Sequence, residues 1–309
     1  MTSLERIQLV ILSHNRMDRL PNLFDDLLLP AAKRGVRVTV VDNASEPALR
    51  VFLGKFSGVD NLDIILNNGN SGAARGRNLG FKRSEREFVV CLDDDSIMQL
   101  DALERVPGIF DEVPEAGILA FRVVDGATGS PQNEHGAERA EVGNFHEAGA
   151  SIRRAVFDRI GYLDGACFFG AEGIEFSMRA QVGGIKTLFI PEIVVQHFSF
   201  PRAGNERLQR RLYWVWGYAL VLFRYLPPHV ALLFAFRQLV SHLVSSWRMN
   251  KLAIPFIPPA MIAGGIRGLA SRNPLSVEGV AFYCDPNTRP ELGNVSITSK
   301  LRRRLSSVS

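Results

Sequence analysis

The chain has 309 residues, of which 46% are hydrophobic and 22% are charged. This composition excludes a disordered, collagenous or coiled-coil protein and leaves room for one large domain or two small ones. Its three cysteines, Cys91, Cys167 and Cys284, are widely spaced and odd in number, which excludes a disulfide framework or a zinc ribbon and favours a reducing, cytoplasmic compartment. The short apolar run near the N-terminus is too brief for a secretory signal.

Charge is divided unevenly along the chain. Residues 1–197 contain 21 Lys and Arg against 28 Asp and Glu, whereas residues 198–309 contain 15 against 4. The acidic part is suited to holding cations, and the basic, apolar part is suited to an anionic membrane surface. No apolar run reaches the roughly 20 uninterrupted residues of a membrane span, so we expect peripheral contact at the inner face of a membrane. No recognition motif accompanies the basic residues, so nucleic acid is not expected as a partner.

Strand and helix patterns alternate through the chain up to about residue 200. Apolar runs predict strands at 7–13, 36–41, 62–66, 88–92, 117–124 and 186–195. Amphipathic or small-residue-rich segments predict helices at 20–28, 46–56, 71–83, 99–112, 153–160 and 172–182, with a long polar loop over 125–147. This alternation predicts an α/β fold, a mostly parallel sheet with helices on both faces. We therefore expect one domain over residues 1–205 and an α-helical extension over residues 206–309.

Polar clusters follow four of these strands at their carboxyl ends. They are Ser13–Asn15, Asp42–Asn43, Asn67–Gly72 and Asp93–Asp95. In an open parallel sheet the carboxyl ends of the strands line one edge, where ligands bind. The sequence therefore predicts a ligand site at this edge.

Three adjacent carboxylates, Asp93, Asp94 and Asp95, repel one another unless a cation lies between them. In extended backbone Asp93 and Asp95 point to the same side, so their oxygens can converge on Mg²⁺ or Mn²⁺. The alternative is a solvated acidic turn that caps a helix beginning near Ser96.

Two neighbouring segments suit a nucleotide diphosphate. Asp42 can accept hydrogen bonds from a base or a ribose, although Asp-Asn after a strand is also ordinary turn chemistry. The segment Asn67–Asn78 starts a helix with small residues and carries Arg75, and helix-start amides beside an arginine suit a diphosphate. A tight structural turn is the alternative for its glycines, whose spacing matches neither a dinucleotide-binding fingerprint nor a P-loop.

Together these segments resemble glycosyltransferase family 2. The resemblance covers about residues 7–200 and rests on Val-Ile-Leu-Ser-His-Asn-Arg, Val-Val-Asp-Asn-Ala-Ser, Asn-x-Gly-x-x-Gly-x-Ala-Arg-Gly-Arg-Asn-x-Gly and Leu-Asp-Asp-Asp, in that order. It implies a GT-A fold and the transfer of a sugar, with inversion, from a UDP- or dTDP-sugar to a hydroxyl of a saccharide, lipid-linked saccharide or natural product. It also implies a Mn²⁺ or Mg²⁺ cofactor held by Asp93, Asp95 and His197. The donor-binding residues that it implies are Ser13, Asn15, Asp42, Asn70, Arg75, Asp93 and Asp94.

The acid pair expected from this resemblance is incomplete. Family members usually carry Glu-Asp or Asp-Asp ahead of a helical arginine, whereas this chain has Glu172-Gly173 ahead of Arg179. We therefore expect Glu172 to be the catalytic base that takes the acceptor proton, with Glu175 as a helix-capping or supporting acid. The alternative is that both glutamates are solvated first-turn acids of a helix.

Other functions and other bases are compatible with the sequence. A nucleotidyltransferase would share the sheet and the metal, but it usually has a Gly-rich basic loop after the first strand, where this chain has Ser13–Arg16. A non-catalytic nucleotide-sugar-binding protein would explain Gly173. If Glu172 is not the base, the next candidates are two acids of the long loop, Glu147 and Glu134.

Overall fold

The computed structural model describes residues 2–133, 135–198, 204–249 and 251–285. The chain divides into two compact units, residues 1–168 with 172–201, and residues 169–171 with 202–309. Glu134, a candidate base from the sequence, lies outside the described residues, as do the basic residues Arg289, Lys300 and Arg302–Arg304 near the C-terminus.

In the described part of the first unit, nine strands form one sheet. They are β1 Ile7–Ser13, β2 Arg37–Asp42, β3 Leu62–Leu66, β4 Phe88–Asp93, β5 Ser96–Met98, β6 Ala116–Asp125, β7 Ala140–Glu141, β8 Gly149–Arg153 and β9 Lys186–His197. Their order across the sheet is β3-β2-β1-β4-β8-β6-β9-β5, with β7 paired to β9. The first four strands are parallel, as predicted. The sheet as a whole is mixed, because the long loop returns the chain so that β8 runs antiparallel to both of its neighbours.

Helices cover both faces of this sheet, as predicted. They are α1 Leu20–Leu23, a π-helical turn Phe24–Leu28, α2 Leu29–Lys33, α3 Pro47–Gly54, α4 Gly72–Phe81, α5 Leu100–Glu112, α6 Arg154–Ile160 and α7 Glu172–Val182. Successive residues of β1 pack into different cores, since strand side chains alternate between faces. Leu9 belongs to a buried cluster with Phe24 and Phe110, whereas Val10 belongs to a second buried cluster with Phe157.

The described part of the second unit is helical, as predicted. It comprises α8 Gly204–Tyr225, α9 Pro228–Met249, a 3₁₀ helix Lys251–Phe256, α10 Ile257–Ala270 and α11 Val277–Cys284. Helix α10 lies closely on α8 because glycines face the contact. A Cβ on Gly264 would come within 2.1 Å of the Trp216 carbonyl oxygen, and a Cβ on Gly268 within 2.4 Å of that of Leu220.

Two 20-residue segments of this unit are long and apolar enough, by length and composition, to cross a membrane. They are Pro228–Trp247 and Lys251–Ala270, and only 28% of each is buried. Neither segment is an uninterrupted apolar run, so this finding does not contradict the sequence expectation, and peripheral membrane contact stays a prediction. Arg237 interrupts the first segment, whose mean hydropathy is still 1.2.

Candidate active site

The carboxyl ends of β1, β2 and β4 meet at one edge of the sheet. In the strand register, Ser13 lies beside Asp42 and Leu12 lies beside Asp93. The polar residues that follow these strands therefore share one edge, which is the arrangement that the sequence predicts.

Asp93, Asp95 and His197 form a compact group at this edge. One ligand atom from each residue lies within 4.8 Å of the others, so the predicted convergence of Asp93 and Asp95 is confirmed. His197 reaches the group because β9 pairs with β5, which places it opposite Ser96. The alternative of a helix beginning near Ser96 is wrong, since the chain forms strand β5 there and not a helix.

Two arginines pair with the carboxylates of this group. Arg16 Nη1 donates to Asp95 Oδ2 at 2.6 Å. Arg77 donates to Asp93 Oδ1 and, through Nη1, to Glu172 Oε1 at 3.2 Å. Burial alone would raise the pKa of Asp93, but the Arg77 guanidinium lowers it below its usual value. Asp18 also pairs with Arg16, at 2.9 Å, so four carboxylates face two guanidinium groups. The remaining negative charge favours a positive partner, either a bound cation or a protonated His197.

Asp94 has a different environment from its two neighbours. Its Oδ2 accepts a hydrogen bond from the His14 amide at 3.0 Å. Burial and the charge of Asp95 raise the pKa of Asp94 to about 7. At neutral pH Asp94 therefore carries only part of a negative charge, which reduces the repulsion within the triplet.

Gln132 orients the His197 ring. Gln132 Oε1 lies 2.6 Å from His197 Nδ1, which directs Nε2 toward Asp95 Oδ1 at 3.2 Å and Asp93 Oδ2 at 3.9 Å. Burial opposes protonation of the ring, but the hydrogen bond to Asp95 and the charges of both carboxylates raise the pKa of His197. Two carboxylate oxygens and an imidazole nitrogen held by a hydrogen-bonded partner fit a divalent metal ion.

Asp42 and Asn15, two predicted donor-binding residues, tie neighbouring loops together. Asp42 is fully buried, and its carboxylate accepts from the Ser45 amide at 3.0 Å and from Arg50 Nε at 2.9 Å. Asn15 Oδ1 accepts from the Glu46 amide at 2.7 Å. These contacts fix the rim of the site beside the buried Ser13, and the donor-binding roles of these residues stay predictions.

Asn70 and Arg75, two further predicted donor-binding residues, lie at the start of α4. Asn70 Oδ1 accepts from Asn43 Nδ2 at 3.1 Å and from the Gly72 amide at 3.0 Å. Arg75 is exposed and lies against Gly165, where an added Cβ would come within 2.5 Å of Arg75 Nε. Their roles in donor binding also stay predictions.

Glu172 and Glu175 open α7 and are both buried, at 2% and 0% exposure. Glu172 pairs with Arg77, as described above, and Glu175 Oε2 pairs with Arg179 Nη2 at 2.8 Å. The alternative that they are solvated first-turn acids is therefore wrong. The catalytic role of Glu172 stays a prediction.

The model of the family described as glycosyl transferase family 2 matches residues 8–169, just over half of the chain. The chain belongs to glycosyl transferase family 2. Among curated relatives, a low-salt glycan biosynthesis hexosyltransferase of Haloferax volcanii is 26% identical over an alignment of 204 residues, and the match covers 58% of this chain and 63% of the relative. An uncharacterized glycosyltransferase of Haemophilus influenzae is 26% identical over 113 residues, 37% of each chain. This family 2 chain thus spans less than two thirds of either relative.

Solved structures of glycosyltransferases share the fold of this family 2 chain. Staphylococcus aureus TarS 1–349 in complex with UDP-GlcNAc has 20% identity and a TM-score of 0.54, and the match covers 72% of this chain and 66% of TarS 1–349. A mannosyltransferase from Pyrobaculum calidifontis, in complex with GDP-Man and Mn²⁺, has 17% identity and a TM-score of 0.54, with 89% and 77% covered. The fold is that of the GT-A glycosyltransferases, as the sequence predicts.

Three side chains that complete the site of this family 2 chain were missed from the sequence: Arg16, Arg77 and Gln132. A signal existed for Arg77, because the helical spacing of Ala74 and Phe81 marks a buried face that includes it. No signal existed for Gln132, which lies in the polar loop 65 residues from His197.

Proposed function

We propose that this chain is a metal-dependent inverting glycosyltransferase that moves a hexose from a nucleotide-diphosphate sugar to an acceptor hydroxyl. The observation that carries the proposal is the group of Asp93, Asp95 and His197 at the carboxyl edge of a GT-A sheet. A hexosyltransferase among the relatives supports the sugar class. The nucleotide sugars in the TarS and mannosyltransferase complexes support the donor class, of which we propose a UDP- or dTDP-sugar.

Asp93, Asp95 and His197 would hold the metal, Mn²⁺ or Mg²⁺. When bound, it neutralises the charge that develops on the departing diphosphate. Arg16 and Arg77 keep the two carboxylates in position through the hydrogen bonds described above. Electrostatic stabilisation of a leaving group is large where the charged groups are held in fixed positions, and these hydrogen bonds would hold them so.

The donor would lie along the edge formed by β1, β2 and the start of α4. We propose that Asp42 and Asn15 border the base and ribose, since both sit at the carboxyl ends of neighbouring strands. Asn70 and Arg75 would face the diphosphate from the start of α4. Ser13 and Asp94 are both buried, and we propose that they support the donor-contacting residues from the interior of the protein.

We propose direct displacement at the anomeric carbon. A carboxylate removes the proton of the acceptor hydroxyl, and the electron pair of that oxygen forms the new glycosidic bond. The bond between the anomeric carbon and the diphosphate oxygen breaks, and its electron pair leaves with the nucleoside diphosphate. General-base help of this kind contributes about 10²–10⁴-fold to the rate.

We also propose that the helical unit contacts an anionic membrane at its cytoplasmic face. Large apolar side chains stay exposed on α9 and α10, among them Phe236 at 65%, Trp247 at 65% and Ile262 at 63%. The excess of Lys and Arg after residue 197 supplies the charge complementary to anionic lipid.

A donor screen with Mn²⁺ tests the proposed function. Thermal shift and release of nucleoside diphosphate are measured with UDP-N-acetylglucosamine, UDP-glucose, dTDP-glucose and GDP-mannose, in Mn²⁺ or in EDTA, with simple glycosides as acceptors. We expect one donor to raise the Tm and to turn over in Mn²⁺ alone. Binding without turnover would support the non-catalytic alternative, and binding unaffected by EDTA would contradict the metal site.

A further inference from the structure

The carboxylates around Arg77 and the metal group differ in burial and pairing. Asp93 and Asp95 pair with arginines and belong to the metal group. Glu172 is almost fully buried and pairs with Arg77. A general base must reach the acceptor and accept a proton, and a buried glutamate that neutralises a buried arginine is poorly placed for both.

Glu147 differs from these carboxylates in both respects. It is half-buried and, within the described residues, takes part in no ion pair. Its Oε1 accepts from the Gly173 amide at 2.6 Å, which leaves Oε2 to meet a ligand. Its backbone is fixed beside β4, because Cys91 Sγ donates to the Glu147 carbonyl oxygen at 3.3 Å.

Gly173 makes this position possible. A Cβ at residue 173 would lie 2.7 Å from Glu147 Oε1 and 2.7 Å from the Phe145 carbonyl oxygen, closer than van der Waals contact allows. The Glu147 carboxylate therefore lies where a side chain of residue 173 would begin. Because residue 173 is a glycine, the carboxylate of Glu147 can occupy this position.

Electrostatics place Glu147 with the same group of charges. Burial would lower the pKa of Arg77, but the negative charges of Asp93, Glu172 and Glu147 hold it well above its ordinary value. The charge of Glu147 therefore acts on the same guanidinium as the charges of Asp93 and Glu172.

From this geometry we infer that Glu147 is the catalytic base and that Glu172 is a positioning residue that holds Arg77; the inference rests on the proposed function. The acceptor O–H bond breaks and its proton goes to Glu147 Oε2. The oxygen's electron pair bonds to the anomeric carbon as the diphosphate departs with its own pair.

The test asks whether Glu147 acts as a base or only accepts the hydrogen bond of the Gly173 amide at the start of α7. Glu147→Gln keeps a carbonyl oxygen that accepts from the Gly173 amide but removes the basic carboxylate, whereas Glu147→Ala removes both. Glu138→Gln, an exposed acid of the same loop, is the matched control, and Glu172→Gln tests the rival base. Tm, donor affinity by calorimetry in Mn²⁺, and kcat at saturating donor are measured on the full chain, with the donor that turns over in the screen.

We expect Glu147→Gln to lower kcat by about 10²–10⁴-fold with the Tm and donor affinity close to wild type. We expect Glu172→Gln to lower the Tm and to lower kcat less than Glu147→Gln does. A kcat for Glu147→Gln within twofold of wild type, or a larger loss in Glu172→Gln, overturns the assignment while the proposed function stands. If the wild type releases no nucleoside diphosphate from any donor, both fall together.

Discussion

Gln132 and His197 are joined by a hydrogen bond between Oε1 and Nδ1 at 2.6 Å, across 65 residues of chain. This contact fixes which ring nitrogen faces Asp93 and Asp95. Partners of this kind typically change metal affinity by about 10–100-fold when removed. We therefore expect Gln132→Ala to weaken Mn²⁺ binding by about that factor, measured by calorimetry with Mn²⁺ alone. Gln196→Ala, at an exposed position beside His197, is the control. Equal Mn²⁺ affinities in the two variants would show that Gln132 does not support the metal site.

Arg77→Met should destabilise the protein strongly. The change leaves Asp93 and the buried Glu172 without their common partner, and removing one member of a buried ion pair costs about 3–5 kcal/mol. Arg75→Met, two residues away but exposed, should change the free energy of unfolding by less than about 0.5 kcal/mol. Urea unfolding of both variants checks the difference, and similar stabilities would show that the Arg77 network contributes little.

Two glycine substitutions should have opposite effects on stability. Gly173→Ala forces a Cβ against Glu147 and the Phe145 carbonyl, and such overpacking costs about 1–3 kcal/mol. Gly108→Ala, within α5 and with open space around it, should stabilise by about 0.5–1 kcal/mol through helix propensity. Thermal unfolding measures both, and a Gly173→Ala protein as stable as wild type would contradict the close approach of residues 145–147 to α7.

The strands and helices around the site were largely predictable from the sequence. Strands β1 and β3 have the predicted bounds, 7–13 and 62–66, because each is a short apolar run ended by polar residues. Helix α7 was also placed at its observed bounds, 172–182. Local patterns of period 2 and 3.6 suffice for such elements.

Contacts between distant segments were not predictable in this way. Strand β8 runs antiparallel to β4 because of the path that the preceding loop takes. The residues of a strand do not by themselves indicate whether it pairs parallel or antiparallel. The pairing of β5 with β9, which brings His197 to Asp95, joins three residues to a strand 100 positions later. The place of Glu147 over Gly173 likewise depends on how the loop returns to α7.

Membrane association can be tested by vesicle flotation. We expect the variant in which Leu232, Phe236 and Trp247 are all replaced by serine to bind anionic vesicles more weakly than wild type, because exposed apolar area is lost. Val51→Ser, at an exposed apolar residue of the first unit, is the control. Binding unchanged by the triple substitution would assign these side chains to another contact.

We expect the basic residues after residue 270, which are Arg272, Arg289, Lys300 and Arg302–Arg304, to make a second contribution to vesicle binding. Truncation after about residue 270 should leave donor binding intact and weaken binding to anionic vesicles, since each basic residue near such a surface contributes about 1 kcal/mol. The loss should be absent with neutral vesicles. Full-length protein that ignores anionic vesicles at low salt would contradict the membrane proposal as a whole.

The proposed function depends most on the group of Asp93, Asp95 and His197 at the edge of the sheet. Asp95→Asn keeps an oxygen for Arg16 but removes a charged metal ligand, and Asp93→Asn should have a smaller effect of the same kind. Asp60→Asn, at an exposed loop position, is the matched control. The most direct measurement is calorimetric binding of UDP in Mn²⁺ and in EDTA, with the Tm confirming that each variant is folded. We expect Mn²⁺-dependent binding in wild type and Asp60→Asn and its loss in Asp95→Asn, whereas undiminished Mn²⁺-dependent binding by folded Asp95→Asn would contradict the metal site.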